Sequence, residues 1–78
     1  MAPIIPLVMM PEGKDSKIIS INAGKCLLNR LRSMGFIENT VLKVKRGTNG
    51  CLIVSVNGCD YALGFGMASK IMVQEYSA

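Results

Sequence analysis

The chain has 78 residues, half of them hydrophobic and 18% charged, with nine Lys and Arg against five Asp and Glu, three Cys and no His. One domain is the only reasonable count at this length, and folding it hides roughly 60% of the unfolded surface, so the core is thin. The lack of histidine removes the serine triad, the Cys-His pair, His-ligated zinc and any imidazole acid or base, and the formal charge of +4 leaves nucleic acid, an anionic surface or an acidic protein as partners for basic residues that form no dense run.

The opening Met1 to Pro11 is apolar, but Pro3, Pro6 and Pro11 break it and it has no basic n-region. It reads neither as a secretory signal nor as a bilayer span, and no other stretch approaches transmembrane length. Residues 1–13 are therefore expected to be a proline-rich lead-in to a barrel over 14–76, within a single domain of 1–78.

After the Pro11-Glu12-Gly13 turn, the β-branched run Ser16 to Ile21 predicts a first strand with Ile19 and Ile21 on one face. From Gly24 to Met34 the period changes. Leu27, Leu28, Leu31 and Met34 fall at i, i+1, i+4 and i+7, which predicts a helix with Lys25, Asn29, Arg30, Arg32 and Ser33 on its other side. Gly35 then fits the left-handed position after the helix, and Phe36 the next one, where it packs back onto Leu31. Asn39 supplies a further turn, and Thr40 to Arg46 alternates as a strand with Leu42 and Val44 inward.

Asn49-Gly50 and Asn57-Gly58 flank the run Cys51 to Val56, the strongest hairpin signature in the chain. A two-residue loop at Asn57-Gly58 pairs Val56 with Cys59, Val54 with Tyr61 and Leu52 with Leu63, all on one face. The same loop at Asn49-Gly50 would put Lys43 and Lys45 on the core side. A three-residue loop, Thr48 to Gly50, with a bulge at a left-handed Gly50 avoids this and is expected instead. Gly64-Phe65-Gly66 should end the next strand in an exposed loop, Met67 to Lys70 make a helical or 3₁₀ turn, and Ile71 to Glu75 close the sheet with Ile71 and Val73 inward. The expected fold class is mainly β, a small partly open barrel of about five strands with one α-helix after the first strand.

Little of this pattern carries chemistry. No two of the five acidic residues lie within two positions of each other, which leaves no D-x-D cluster for a metal. Gly24-Lys25-Cys26 resembles the end of a phosphate loop but lacks its first glycine and its Ser or Thr. Cys26, Cys51 and Cys59 make no C-x-x-C, so neither a disulfide framework nor a zinc knuckle is supported, and thiols fit a reducing cytosol. The register sends Cys59 inward as a small hydrophobe and Cys51 outward. Lys43, Lys45 and Arg46 make a basic strand face, the basis of an alternative reading as a nucleic-acid-binding barrel, but aromatics for stacking are few. Direct transition-metal binding through thiolates or carboxylates is a further alternative. Phe65 and Ile37 are candidate exposed apolar anchors.

Leu31-Arg32-Ser33-Met34-Gly35-Phe36-Ile37 and Ala62-Leu63-Gly64-Phe65-Gly66-Met67-Ala68-Ser69-Lys70-Ile71 carry a wider pattern. Together with Pro6 to Gly13 and Ile18 to Ile21, they resemble the FeoA family of ferrous iron transport proteins along nearly the whole chain. The resemblance implies an SH3-like barrel and a cytoplasmic, non-enzymatic accessory protein that binds the cytosolic GTP-binding domain of the transporter FeoB and modulates iron uptake. No cofactor, no metal site, no nucleic-acid partner and no membrane insertion are expected. Glu38-Asn39 stands where the family usually has Pro-Gly, the loop between the second and third strands is shorter than in many members, and Phe65 takes a position commonly basic or polar. The expected partner-binding residues are Arg32, Met34, Phe36, Ile37, Phe65 and Met67, with Ile37 and Phe65 as the anchors of a single patch.

Overall fold

The structure, a computed structural model, describes residues 3–76. In chain order it contains β1 (Ile4–Pro6), a 3₁₀ turn (Leu7–Met9), β2 (Asp15–Ile21), α1 (Lys25–Ser33), β3 (Val41–Thr48), β4 (Cys51–Val56), β5 (Cys59–Gly64), α2 (Phe65–Ala68) and β6 (Ile71–Glu75). The strands form one antiparallel sheet in the order β1-β6-β2-β3-β4-β5. Its concave side holds the core, in which Leu7, Ile18, Leu31, Phe36, Val44, Val54, Leu63, Ile71 and Val73 are fully buried.

The proline-rich lead-in is part of this sheet. Ile4 to Pro6 pair with Met72 to Gln74, and Leu7 and Met10, three apart across the 3₁₀ turn, drop into the core. Proline is tolerated here because β1 lies at the edge of the sheet, where a missing donor breaks no ladder on the outer side. β2 differs from the sequence reading in its facing. Ile18 pairs with Val73 and Ser20 with Met72, so Ile19 is an extra residue in a bulge. That bulge brings Ile18 and Ile21, three positions apart, onto the inner face, Ile18 fully buried and Ile21 packed against the core.

Ser16 is also completely buried on β2, and its hydroxyl has no hydrogen-bond partner. A buried hydroxyl left unsatisfied costs about 1 to 3 kcal/mol. Ser16→Ala is therefore expected to raise the urea midpoint, by the equivalent of about 1 kcal/mol once the smaller side chain's lost packing is included. A lower midpoint would show that the hydroxyl is bonded in solution.

α1 ends as its sequence demands. Gly35 has φ +101°, its N–H donates to the Arg32 carbonyl at 3.0 Å, and the Phe36 N–H donates to the Leu31 carbonyl at 2.9 Å, the paired bonds of a Schellman stop. Asn39 follows with φ +73°. The β4–β5 hairpin has the expected register, from Val56 opposite Cys59 to Leu52 opposite Leu63, with Asn57 and Gly58 both at positive φ in a two-residue turn.

At the other turn the parity is right and the location of the extra residue is not. Val44 faces Val54 and Leu42 faces Val56, as the apolar pattern requires, and Gly50 is left-handed. The loop is only Asn49-Gly50, however, because Thr48 pairs with Cys51, and the bulge sits inside β3 at Lys45, between Val44 and Arg46. Either placement keeps the lysines out of the core. Cys59 is another correction. It points to the same side as Val56 but is exposed, since it stands at the end of the sheet's edge strand, beyond the layer that covers Val56.

Candidate partner-docking surface

Phe65 is not in a loop. Gly64 is extended and serves as the N-cap of α2, Phe65 is its first residue, and buried Ala68 pins the short helix to the core. The Phe65 N–H donates to the Gly50 carbonyl at 3.1 Å, which ties α2 to the β3–β4 turn. The Phe65 side chain remains 45% exposed, while Met67 is half-buried against the core. The 3₁₀ turn Leu7–Met9 packs beside α2, and because Leu7 and Met10 point inward, Met9 is left 67% exposed. Met9 is thus a second exposed apolar group, on the turn that neighbours α2. The sequence signal for it was the i, i+3 spacing of Leu7 and Met10, hidden by the prolines around them.

Ile37 lies elsewhere. The Schellman stop turns Phe36 inward and Ile37 outward, 49% exposed, and the Thr40 N–H donates back to the Ile37 carbonyl at 3.1 Å. Gly35 lies against the Asn57 side chain, which places this corner at the β4–β5 turn. Phe65 is tied to Gly50 and Gly35 to Asn57, so the two candidate anchors sit at opposite ends of β4, on the order of 20 Å apart at ~3.3 Å per residue. They do not form the single patch expected from the sequence. Phe36 belongs to neither surface, being fully buried with its ring edge-on to Tyr61 at 5.6 Å. Arg32 is exposed and lines a cleft of about 90 Å³ with Ile21, Leu28 and Glu38, and Met34 is half-buried against the core.

The basic strand face is tethered rather than open. Lys43 pairs with Asp15 at 3.9 Å and Lys45 with Asp60 at 3.3 Å, with Arg46 exposed beside them. The Gly47 N–H donates to the Glu12 carboxylate at 2.8 Å, which brings a further negative charge to the same strand. Cys26 is exposed on α1 and Cys51 half-buried on β4. Among the described residues, no group of three or more Cys, Asp or Glu lies close enough to hold a metal ion, and no helix is long and apolar enough to cross a membrane.

This sheet, with α1 packed on its core and a short helix before the last strand, matches a known family. A model of the FeoA domain covers residues 5–75. The chain belongs to the FeoA domain family. A FeoA relative from Methanocaldococcus jannaschii, named as a candidate Fe(2+) transport protein A, is 41% identical over 70 residues, which are 90% of this chain and 85% of that one. A crystal structure of an iron uptake regulatory protein, FeoA, superposes with a TM-score of 0.87 at 30% identity, covering 95% of this chain and 99% of the other. The FeoA barrel also recurs in a manganese-dependent transcriptional repressor, with a TM-score of 0.87 at 22% identity and 97% of this chain matched to 44% of the repressor. At that identity the likeness shows a shared fold alone. The SH3-like FeoA architecture is thus the one expected from the sequence, with β1 as an additional strand.

Proposed function

We propose that this chain is a non-enzymatic accessory protein of ferrous iron transport, which docks on the cytosolic GTP-binding domain of FeoB and modulates iron uptake. The observation that carries the reading is the FeoA family match over residues 5–75, together with a relative named for Fe(2+) transport at 41% identity. The geometry supports docking in place of chemistry. Large apolar groups held at the surface by short, anchored elements are what a partner can bury, and Phe65 and Met9, on the neighbouring α2 and 3₁₀ turn, are two such groups. The nucleic-acid reading gains no support, because Lys43 and Lys45 already have carboxylate partners.

Phe65→Ala is expected to weaken binding to the purified FeoB cytosolic domain by at least about 1 kcal/mol, roughly fivefold. Its stability should barely change. The side chain is nearly half exposed, the bond to Gly50 uses only the backbone, and alanine is a good helix former. Titration calorimetry beside a urea melt reads both. A folded variant with unchanged affinity would move the docking surface to the Ile37 corner, and no binding by the unmodified chain would remove the transporter reading itself.

A further inference from the structure

The ion pairs leave the positive charge unevenly spread. Lys14, Lys43 and Lys45 are paired with Glu75, Asp15 and Asp60. Of the remaining cations, Lys25, Arg30 and Arg32 all lie on the nine residues of α1, which carries no acidic residue, and all three are exposed. Lys70 adds a fourth at the same end, since its carbonyl accepts a hydrogen bond from Asn22, just before α1 begins, at 2.7 Å. Glu38 shares the small cleft with Arg32, and no ion pair joins the two. At 100° per residue, Lys25 and Arg32 flank one side of the outer face and Arg30 the other, with Asn29, Ser33 and Cys26 between them.

We infer that this α1 face binds an anionic phospholipid surface. The chemistry separates that occupant from its competitors. A protein interface needs a buried apolar or aromatic anchor, and the outer arc of α1 has none; Leu27, Leu31 and Met34 pack into or against the core, and half-buried Leu28 lines the small cleft it shares with Arg32. Single-stranded nucleic acid needs stacking rings, and no aromatic residue lies on this helix. Separate cations on the flanks of a polar face instead suit a fluid surface whose anionic headgroups move to meet them, with each Lys or Arg worth roughly a fivefold gain in affinity. The face contains no apolar wedge, so it lies on the membrane without entering it. It would hold the domain at a membrane surface whether or not a transporter is present, and so does not rest on the transporter reading.

The test is co-sedimentation of the full chain with equimolar phosphatidylglycerol and phosphatidylcholine vesicles, with pure phosphatidylcholine vesicles as control. Binding to the anionic vesicles is expected, falling away as added salt shortens the Debye length from about 10 Å to about 3 Å. The triple variant Lys25→Gln, Arg30→Gln, Arg32→Gln should bind about a hundredfold more weakly at low salt, the product of three roughly fivefold losses. The charge-matched variant Lys14→Gln, Lys43→Gln, Lys45→Gln should lose no more than about fivefold, with circular dichroism confirming that both fold. Equal losses from the two variants would mean that net charge, not this face, attracts lipid, and would overturn the assignment. So would equal binding to neutral vesicles, no binding to anionic ones, or tighter binding to a poly(U) strand at the same salt.

Discussion

Replacing Phe36 by alanine is expected to cost about 3 to 5 kcal/mol of folding stability, the largest effect of any single change considered. The ring is fully buried and stacks edge-on with Tyr61, at 5.6 Å between centroids and 62° between planes. It is also the side chain through which the end of α1 is fastened to the sheet, because the Schellman bonds leave Phe36 facing back over Leu31. Truncation removes apolar surface and the aromatic contact, and opens a cavity that a thin core has few spare side chains to fill. Folding stabilities of small domains are of similar size to this loss, so the variant should be largely unfolded or melt at much lower urea. A near-normal midpoint, with transporter binding lost, would return Phe36 to the surface role its place beside Ile37 suggests in the sequence.

Gly35→Val is expected to destabilise by about 1 to 3 kcal/mol. Two costs combine. At φ +101° a β-branched side chain is strained wherever it points, and a Cβ there would come within 3.1 Å of the Asn57 amide nitrogen. That nitrogen is the tip of a short rotatable side chain that need give by only a few tenths of an ångström, so the positive φ supplies the larger cost. Gly35→Ala should lose less, since it lacks the branch, and the order Gly, Ala, Val in urea midpoint is the measured signature. Equal midpoints for all three would show that the helix ends in another conformation.

Local chemistry made some of these features legible and left others hidden. Met34-Gly35-Phe36 announces a helix stop, and Asn57-Gly58 announces a hairpin turn, because each needs only residues close in sequence. The same logic keeps Phe36 off the docking surface, since a residue in its position after the stop packs against the helix. Alternation along β3 and β4 determines which residues face inward but not where an odd residue is absorbed, and so the bulge at Lys45 could be placed in the turn without contradiction. The bulge at Ile19 was invisible for the opposite reason. Three apolar positions among four, Ile18, Ile19 and Ile21 around Ser20, satisfy either facing. β1 has no alternation to detect, and it is a strand only because β6 offers it a partner. Ile37 and Phe65 are both exposed, as the sequence predicts, but their separation depends on how the hairpin runs through the sheet.

The position of β6 between β1 and β2 bears on how the protein is made. A ribosome delivers this strand after all the others, yet Ile71 and Val73 are the partners that cover Ile21 and Ile18 near the beginning of the chain. Until they emerge, β1 has nothing to pair with and the inner face of β2 stays open to water. The nascent chain therefore gains little from folding piecemeal, and assembly is a late event that joins its two ends. Through most of its synthesis the polypeptide exposes apolar strand segments, the condition in which holding chaperones are of most use to so small a domain.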